Sequence, residues 1–123
     1  MTEIRISWSD GEVTATLRDT PTAQQLLAAL PLTHRVDTWG DEIYFSVAFT
    51  AEAEADASTV VEKGSICFWL EGNALALLFG PTPISVAAEC RLISAANIVG
   101  SIHDNVEALR SVRQNDFITL TNA

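Results

Sequence analysis

Nucleophilic catalysis needs a nucleophile, a general base and an orienting group within hydrogen-bond reach, and few residues of this sequence could supply them. The only histidines are His34 and His103. In Ser101-Ile102-His103-Asp104 the serine and the histidine would share one face of a predicted strand. A hydrolase using this pair is one hypothesis, although a polar strand end of this kind is more typical of a solvent-facing surface.

Adjacent carboxylates, Asp41 and Glu42, are the second candidates for acid–base chemistry. Successive side chains of a strand point to opposite faces, so these two carboxylates cannot share a proton. Asp41 follows Gly40 in a predicted turn, where an aspartate typically accepts hydrogen bonds from turn amides. We therefore assign no catalytic residue.

Metal and cofactor chemistry lacks a matching motif. Cys67 and Cys90 are far apart, and no cysteine–histidine cluster has zinc-ligand spacing. Acids alternate from Glu52 onward as at the start of a calcium-binding loop, but that loop needs glycine at its sixth position and glutamate at its twelfth. Those positions hold Ala57 and Lys63. We predict no metal and no cofactor.

The stretch Thr38–Val47 favours a binding site instead. A Trp-Gly-Asp turn precedes a strand in which polar and apolar side chains alternate. The apolar face is the natural protein interior: Ile43, Phe45 and Val47. The other face carries Glu42, Tyr44 and Ser46. An exposed Tyr44 beside Trp39, with Arg35 close in sequence, would form an amphipathic patch suited to an extended peptide or a small molecule.

The predicted ligand-binding residues are Arg35, Trp39, Glu42, Tyr44 and Asn97. Phe79 joins them only through a family resemblance carried by Leu78–Pro83, which implies that it forms a cleft wall. Structural roles are the alternatives. Trp39 and Tyr44 could cover one end of a barrel, and Phe79 could be a core aromatic. Asn97 could hold a neighbouring loop through its two-sided amide.

Composition excludes several partners. Sixteen acids against seven bases give a formal net charge of −9, and Lys63 is the single lysine. Neutralising phosphates needs clustered basic side chains, so we predict no binding to nucleic acid or anionic membranes. No apolar run approaches the roughly 20 residues of a membrane span, and the first residues lack a signal-peptide pattern. We expect a cytoplasmic protein; a homodimer is compatible with the sequence.

Short strands must position these residues. Alternation predicts a hairpin from Ile4–Trp8 and Val13–Leu17 with its turn at Ser9–Glu12. Thr20 as N-cap and Pro21 at the first position predict a helix that ends at Pro31. The remaining strands are predicted at Ile43–Thr50, Ile66–Leu70, Ala74–Phe79, Ile93–Ile102 and Phe117–Leu120, with a helical turn at Asn105–Val112. We predict one mainly β domain over residues 1–123.

Four segments, in order along the chain, resemble a small uncharacterised prokaryotic family with a cyclophilin-like fold. They are Thr38–Phe45, Val60–Trp69, Leu78–Pro83 and Ala96–Gly100. The resemblance implies a closed β-barrel of about eight strands, capped by the helix Thr20–Leu30. It implies no established activity.

True cyclophilins isomerise prolyl peptide bonds, and Thr33–Val36 is similar to their histidine-arginine-isoleucine strand. Arg35 would then hydrogen-bond the prolyl amide. The other matching segments, Ala74–Leu78 and Arg91–Ala96, lack the cyclophilin glutamine, phenylalanine, tryptophan and histidine. The favoured function is therefore non-catalytic binding of a peptide or small molecule. A degenerate prolyl isomerase using Arg35, or a hydrolase, is the alternative.

Overall fold

One antiparallel sheet of ten strands organises the chain in a computed structural model that describes residues 1–123. The strands are β1 Thr2–Trp8, β2 Gly11–Leu17, β3 Leu32–Arg35, β4 Asp37–Thr38, β5 Glu42–Ser46, β6 Ser58–Val61, β7 Ser65–Trp69, β8 Ala74–Leu78, β9 Cys90–Ile102 and β10 Phe117–Asn122. One α-helix, α1, covers Pro21–Ala29, and a 3₁₀-helix covers Val106–Ser111. The prediction of a mainly β fold with short helices is confirmed. Neither helix is long and apolar enough to cross a membrane.

The ladder of paired strands does not close. Its order is β3-β10-β1-β2-β9-β7-β8-β5-β4, with β6 paired to β9 off this path. The end strands β3 and β4 are consecutive in the chain but are not paired with each other. Val36, between them, continues the pairing with β10: its N–H donates to Asp116 O at 2.9 Å and its carbonyl accepts from Asn115 N at 2.8 Å. The closed barrel of about eight strands is thus not confirmed; the sheet is open and has ten.

The N-terminal hairpin and the helix form where the sequence predicts them. Strands β1 and β2 pair in continuous register from Thr2↔Leu17 to Trp8↔Gly11. Thr20 caps α1 by accepting a hydrogen bond from Ala23 N, and Pro21 is its first residue. The buried face of α1 includes Leu26, which is fully buried against the sheet. Such a short helix derives its stability from this packing.

Apolar side chains form a core on each face of the central strands. The main cluster has 22 buried residues, including Ile43, Phe45, Leu75 and Leu77. A second cluster of seven lies on the opposite face: Val61, Cys67, Ala76, Leu78, Cys90, Leu92 and Ala96. Strand β8 is therefore buried on both faces, as its uninterrupted apolar sequence predicts.

Candidate functional site

The turn before β5 is held in one geometry by its own backbone and by a neighbouring loop. Trp39 N donates to Glu42 O at 2.9 Å, and Glu42 N donates to Trp39 O at 3.2 Å. Gly40 has φ +60, and a Cβ there would lie 2.9 Å from both Pro81 O and Thr82 Cα. Only glycine fits, since it alone tolerates both the positive φ and the close approach.

Asp41 docks this turn onto the chain that follows β8. Its N–H donates to Pro81 O at 2.9 Å, and its carbonyl accepts from Phe79 N at 3.0 Å. Its carboxylate lies so close to Gly80 that any Cβ there would clash with it. Arg110 completes the clamp with a 3.1 Å ion pair to Asp41 and a guanidinium 5.2 Å from the centre of the Phe79 ring. Asp41 lies in the predicted turn, but its carboxylate pairs with Arg110 and does not accept the hydrogen bonds from turn amides that the sequence predicts.

The turn and three strands enclose a cleft of about 290 Å³. Six residues line it: Trp39, Glu42, Tyr44, Trp69, Leu92 and Ile93. Leu92 belongs to the second apolar cluster, and Tyr44 packs against it, so the cleft lies on the same face of the sheet as that cluster. The indole N–H of Trp69 donates to Ser94 Oγ at 2.6 Å, which fixes the ring of Trp69 beside β9. Ile93 remains 57% exposed, so the apolar lining extends to the protein surface.

Glu42 is the only charged residue among those that line the cleft. It is 6% exposed, and its Oε1 atom is buried without a hydrogen-bond partner. Burial raises the pKa of the Glu42 carboxyl from 4.5 to about 7, since the charged form loses its hydration without gaining a partner. The arrangement can accept a hydrogen bond or a positive charge at Oε1 and hold an apolar group against the aromatic walls.

The carboxyl of Glu42 also affects two neighbouring groups. The pKa of Tyr44 is raised above 10.0, first by burial and then by the charges of Asp37 and Glu42. The pKa of the Cys67 thiol is raised to about 12, mainly by burial, with smaller contributions from Glu42 and Cys90. Both groups are therefore protonated at neutral pH, and neither provides a positive charge for Glu42.

Three of the predicted ligand-binding residues, Trp39, Glu42 and Tyr44, line this one cleft, while Trp69, Leu92 and Ile93 were not predicted. Cross-strand register explains why Trp69 belongs here. Tyr44 on β5 pairs with Ala76 on β8, which pairs with Cys67 on β7, and Trp69 lies two residues further along the same face. Because β8 contributes only an alanine in this row, the aromatic side chains on either side can border a common space.

Arg35 lies elsewhere. It is exposed on β3, and its guanidinium is 5.1 Å from the centre of the Phe117 ring on β10. It does not line the cleft, so Arg35, Trp39 and Tyr44 do not form the single corner that their spacing suggested. Phe79 is a core residue that borders a separate depression of about 170 Å³ beside Arg110.

Asn97 is fully buried, and its amide holds the connector between β5 and β6. Its Oδ1 accepts from Glu54 N at 2.9 Å. Its Nδ2 donates to Thr22 Oγ1 at 2.9 Å and to Glu52 O at 2.8 Å. These contacts correspond to the loop-holding alternative considered for this residue.

The Ser101–His103 pair is adjacent but incomplete as catalytic machinery. The serine Oγ and histidine Nε2 are 3.3 Å apart on an exposed surface, and no carboxylate hydrogen-bonds the other ring nitrogen. Nor does any group of three or more His, Cys, Asp and Glu side chains converge as a metal site would require.

Comparison with known proteins identifies the family. The chain belongs to the cyclophilin-like family, whose model matches residues 2–121. It is similar to the hypothetical protein AF2241 from Archaeoglobus fulgidus, known from a solution structure, with 33% identity and a TM-score of 0.83 over 99% of this chain and 95% of that one. The predicted family resemblance is confirmed.

A second solved structure shares the fold at lower identity. This is McbB in complex with tryptophan, 21% identical, with a TM-score of 0.67 over 97% of this chain and 44% of that one. No protein with a curated description matches the chain. The family and the fold are established by these similarities.

Proposed function

We propose that this protein binds a small organic molecule in the cleft bounded by Trp39, Tyr44 and Trp69. The observation that carries the proposal is the buried Oε1 of Glu42, which has no hydrogen-bond partner in a cleft otherwise lined by aromatic and aliphatic side chains. Ligand sites typically combine an apolar lining with a few oriented polar groups. A volume of about 290 Å³ favours a molecule with one or two rings over an extended peptide.

The stability that the protein loses when the buried carboxyl of Glu42 ionises supports a functional role for this residue. Its folded-state pKa of about 7 lies above the ordinary value of 4.5, so its contribution to stability is full below pH 4.5 and is lost as the pH rises through about 7. With partial contact with water at the mouth of the cleft, the loss is about 2–3 kcal/mol. Purely structural packing would be served better by an apolar side chain here, whereas a ligand that pairs with the carboxyl recovers the lost interaction.

Ligand-detected and protein-detected NMR with a set of one-ring and two-ring molecules tests the proposal. Tryptophan belongs in the set because McbB, which shares the fold, is described in complex with it. We expect binders to shift the amide signals of Tyr44, Trp69 and Ile93. Trp69→Leu, which keeps an apolar side chain, should weaken the tightest binder at least tenfold.

Phe117→Leu is the matched control. Phe117 is also an aromatic strand residue, but it is 56% exposed and does not line the cleft. It should leave the affinity unchanged. Binders that shift only signals around Arg35 and Phe117 would move the site to β3 and overturn the proposal. So would protein-dependent isomerisation of a proline-containing peptide that is lost in Arg35→Ala, because it would identify the enzyme alternative.

The free, buried Cys67 and Cys90 fit a reducing compartment, so we expect the ligand to be cytoplasmic.

A further inference from the structure

We propose that the ligand is an organic cation: a protonated primary or secondary amine whose N–H donates to Glu42 Oε1 while its apolar part lies against the aromatic walls of the cleft. The inference rests on the proposed small-molecule function and narrows it to one chemical class. Two independent features of the cleft point to a cation, its carboxyl and its rings.

The first feature is the uncompensated carboxyl. Glu42 is the only charged residue lining the cleft, and no hydrogen-bond donor of the protein reaches its Oε1. A neutral donor would satisfy the oxygen but leave the negative charge unpaired in a poorly hydrated site. An anionic ligand would add repulsion within a chain whose formal net charge is already −9. A protonated amine provides both the donor and the opposite charge, and such charge-assisted hydrogen bonds are about twice as strong as neutral ones.

The second feature is the aromatic lining. Trp39, Tyr44 and Trp69 border the same space as the carboxyl. The faces of aromatic rings attract cations, tryptophan most strongly, and several rings around one site form the aromatic cages that bind substituted ammonium groups. Leu92 and Ile93 add aliphatic surface, so the non-polar part of the ligand has a place to bind as well.

The binding should depend on pH through Glu42. The titratable groups that face it are Tyr44 on its own strand and Cys67 on β7, and the pKa values of both are raised, that of Cys67 to about 12. Asp37 on β4 contributes a further negative charge that acts on Tyr44. None of these groups introduces a positive charge between pH 5.5 and 8.5. The fraction of ionised Glu42 rises about thirtyfold over that interval for a pKa of about 7, and the affinity for a cation should rise with it.

Three probes that share a ring and differ in charge test the inference: 2-phenylethylamine, 2-phenylethanol and 3-phenylpropionate. The amine stays protonated up to about pH 9. Binding to the full chain is measured by NMR titration in dilute buffer at pH 5.5 and 8.5. At pH 8.5 the amine should bind at least tenfold more tightly than the alcohol, and the carboxylate most weakly. At pH 5.5 most of the preference for the amine should disappear.

Glu42→Gln should remove the preference for the amine, because the amide carries no charge that could pair with an ammonium group. Glu3→Gln is the matched control, because it removes one negative charge from an exposed residue of β1 and should preserve the preference. If the wild type binds amine and alcohol equally, or if Glu42→Gln keeps the selectivity, the cation inference is overturned and the proposed small-molecule function stands. If none of the three probes binds at millimolar concentration while another one-ring or two-ring molecule binds in the cleft, the cation inference alone is overturned. If no molecule of that wider set binds, the proposed function is overturned as well.

Discussion

Asn97 and Glu42 are both buried polar residues, but they differ in how far their side chains are hydrogen-bonded within the protein. Asn97 is 0% exposed and uses both ends of its amide in three hydrogen bonds. Glu42 is 6% exposed, and its side chain makes no hydrogen bond within the protein. Buried polar groups in native proteins are nearly always paired, so an unpaired one needs an explanation other than stability. The difference separates a residue that holds the fold from one that is available to a ligand.

Glu54 is the intermediate case. One of its oxygens, Oε1, is also buried without a partner. Its other oxygen, however, accepts from Thr22 N at 3.0 Å and from Thr22 Oγ1 at 2.6 Å, at the start of α1. The carboxylate therefore satisfies one of the first amides of a helix, where a negative charge is favourable. Glu42 has no comparable structural partner, which makes it the stronger candidate for ligand recognition.

The largest expected effect is on stability at Asn97. Asn97→Ala would leave Glu54 N, Thr22 Oγ1 and Glu52 O without their buried partner, so we expect the free energy of unfolding to fall by about 3–4 kcal/mol. Urea denaturation at neutral pH measures this change. A loss below about 1 kcal/mol would mean that the connector makes equivalent bonds without the asparagine, and the contrast with Glu42 would then disappear.

The second prediction is that substitution of Glu42, unlike that of Asn97, raises the free energy of unfolding. Glu42→Gln should stabilise the protein at high pH, because the folded-state pKa of about 7 makes wild-type stability fall as Glu42 ionises. Between pH 5 and 8.5 the wild type should lose about 2 kcal/mol relative to Glu42→Gln. Urea denaturation of both proteins at each pH gives this difference directly, since the other titrating groups cancel. Parallel pH profiles would contradict a desolvated carboxyl in the cleft.

The contrast between these residues also marks the limit of prediction from sequence. The alternation in Thr38–Val47 correctly divided Ile43 and Phe45, which lie in the main core, from Tyr44, which lines the cleft. No local pattern distinguishes Asn97 from Glu42, because the partners that define their roles come from remote segments. The amide of Asn97, for instance, bonds a carbonyl 45 residues away.

Strand order explains the remaining differences between the predicted site residues and those that line the cleft. Arg35 is close to Trp39 in sequence, but its strand pairs with β10 whereas β4 pairs with β5, so the chain carries the two residues to separate surfaces. Trp69 is remote in sequence, but its strand is separated from β5 only by β8. Alternation predicts the face on which a side chain lies, and it cannot predict which strands are neighbours.

A smaller effect is expected where Asn97 and Glu54 meet. Thr22 Oγ1 accepts from Asn97 Nδ2 and donates to Glu54, so Thr22→Val removes two hydrogen bonds and leaves the backbone bond from Thr22 N intact. We expect a loss of about 1–2 kcal/mol in urea denaturation. In the double variant with Asn97→Ala the two losses should be less than additive, because the same network is broken twice. Full additivity would show that the two residues stabilise the fold independently.

The smallest expected effect is a change in the pKa of Tyr44. Tyr44 is the only tyrosine of the chain, so its titration is a specific probe of the cleft. Its pKa is raised above 10.0 first by burial and then by the charges of Asp37 and Glu42. Because Glu42 is ionised at the alkaline pH where Tyr44 titrates, Glu42→Gln should lower the pKa of Tyr44. It should not restore the ordinary value, since burial and Asp37 remain. Ultraviolet absorbance of the tyrosinate follows the titration in both proteins. An unchanged pKa of Tyr44 in Glu42→Gln would mean that water at the mouth of the cleft screens the carboxyl from Tyr44. Glu42 would then attract a cationic ligand in the cleft only weakly.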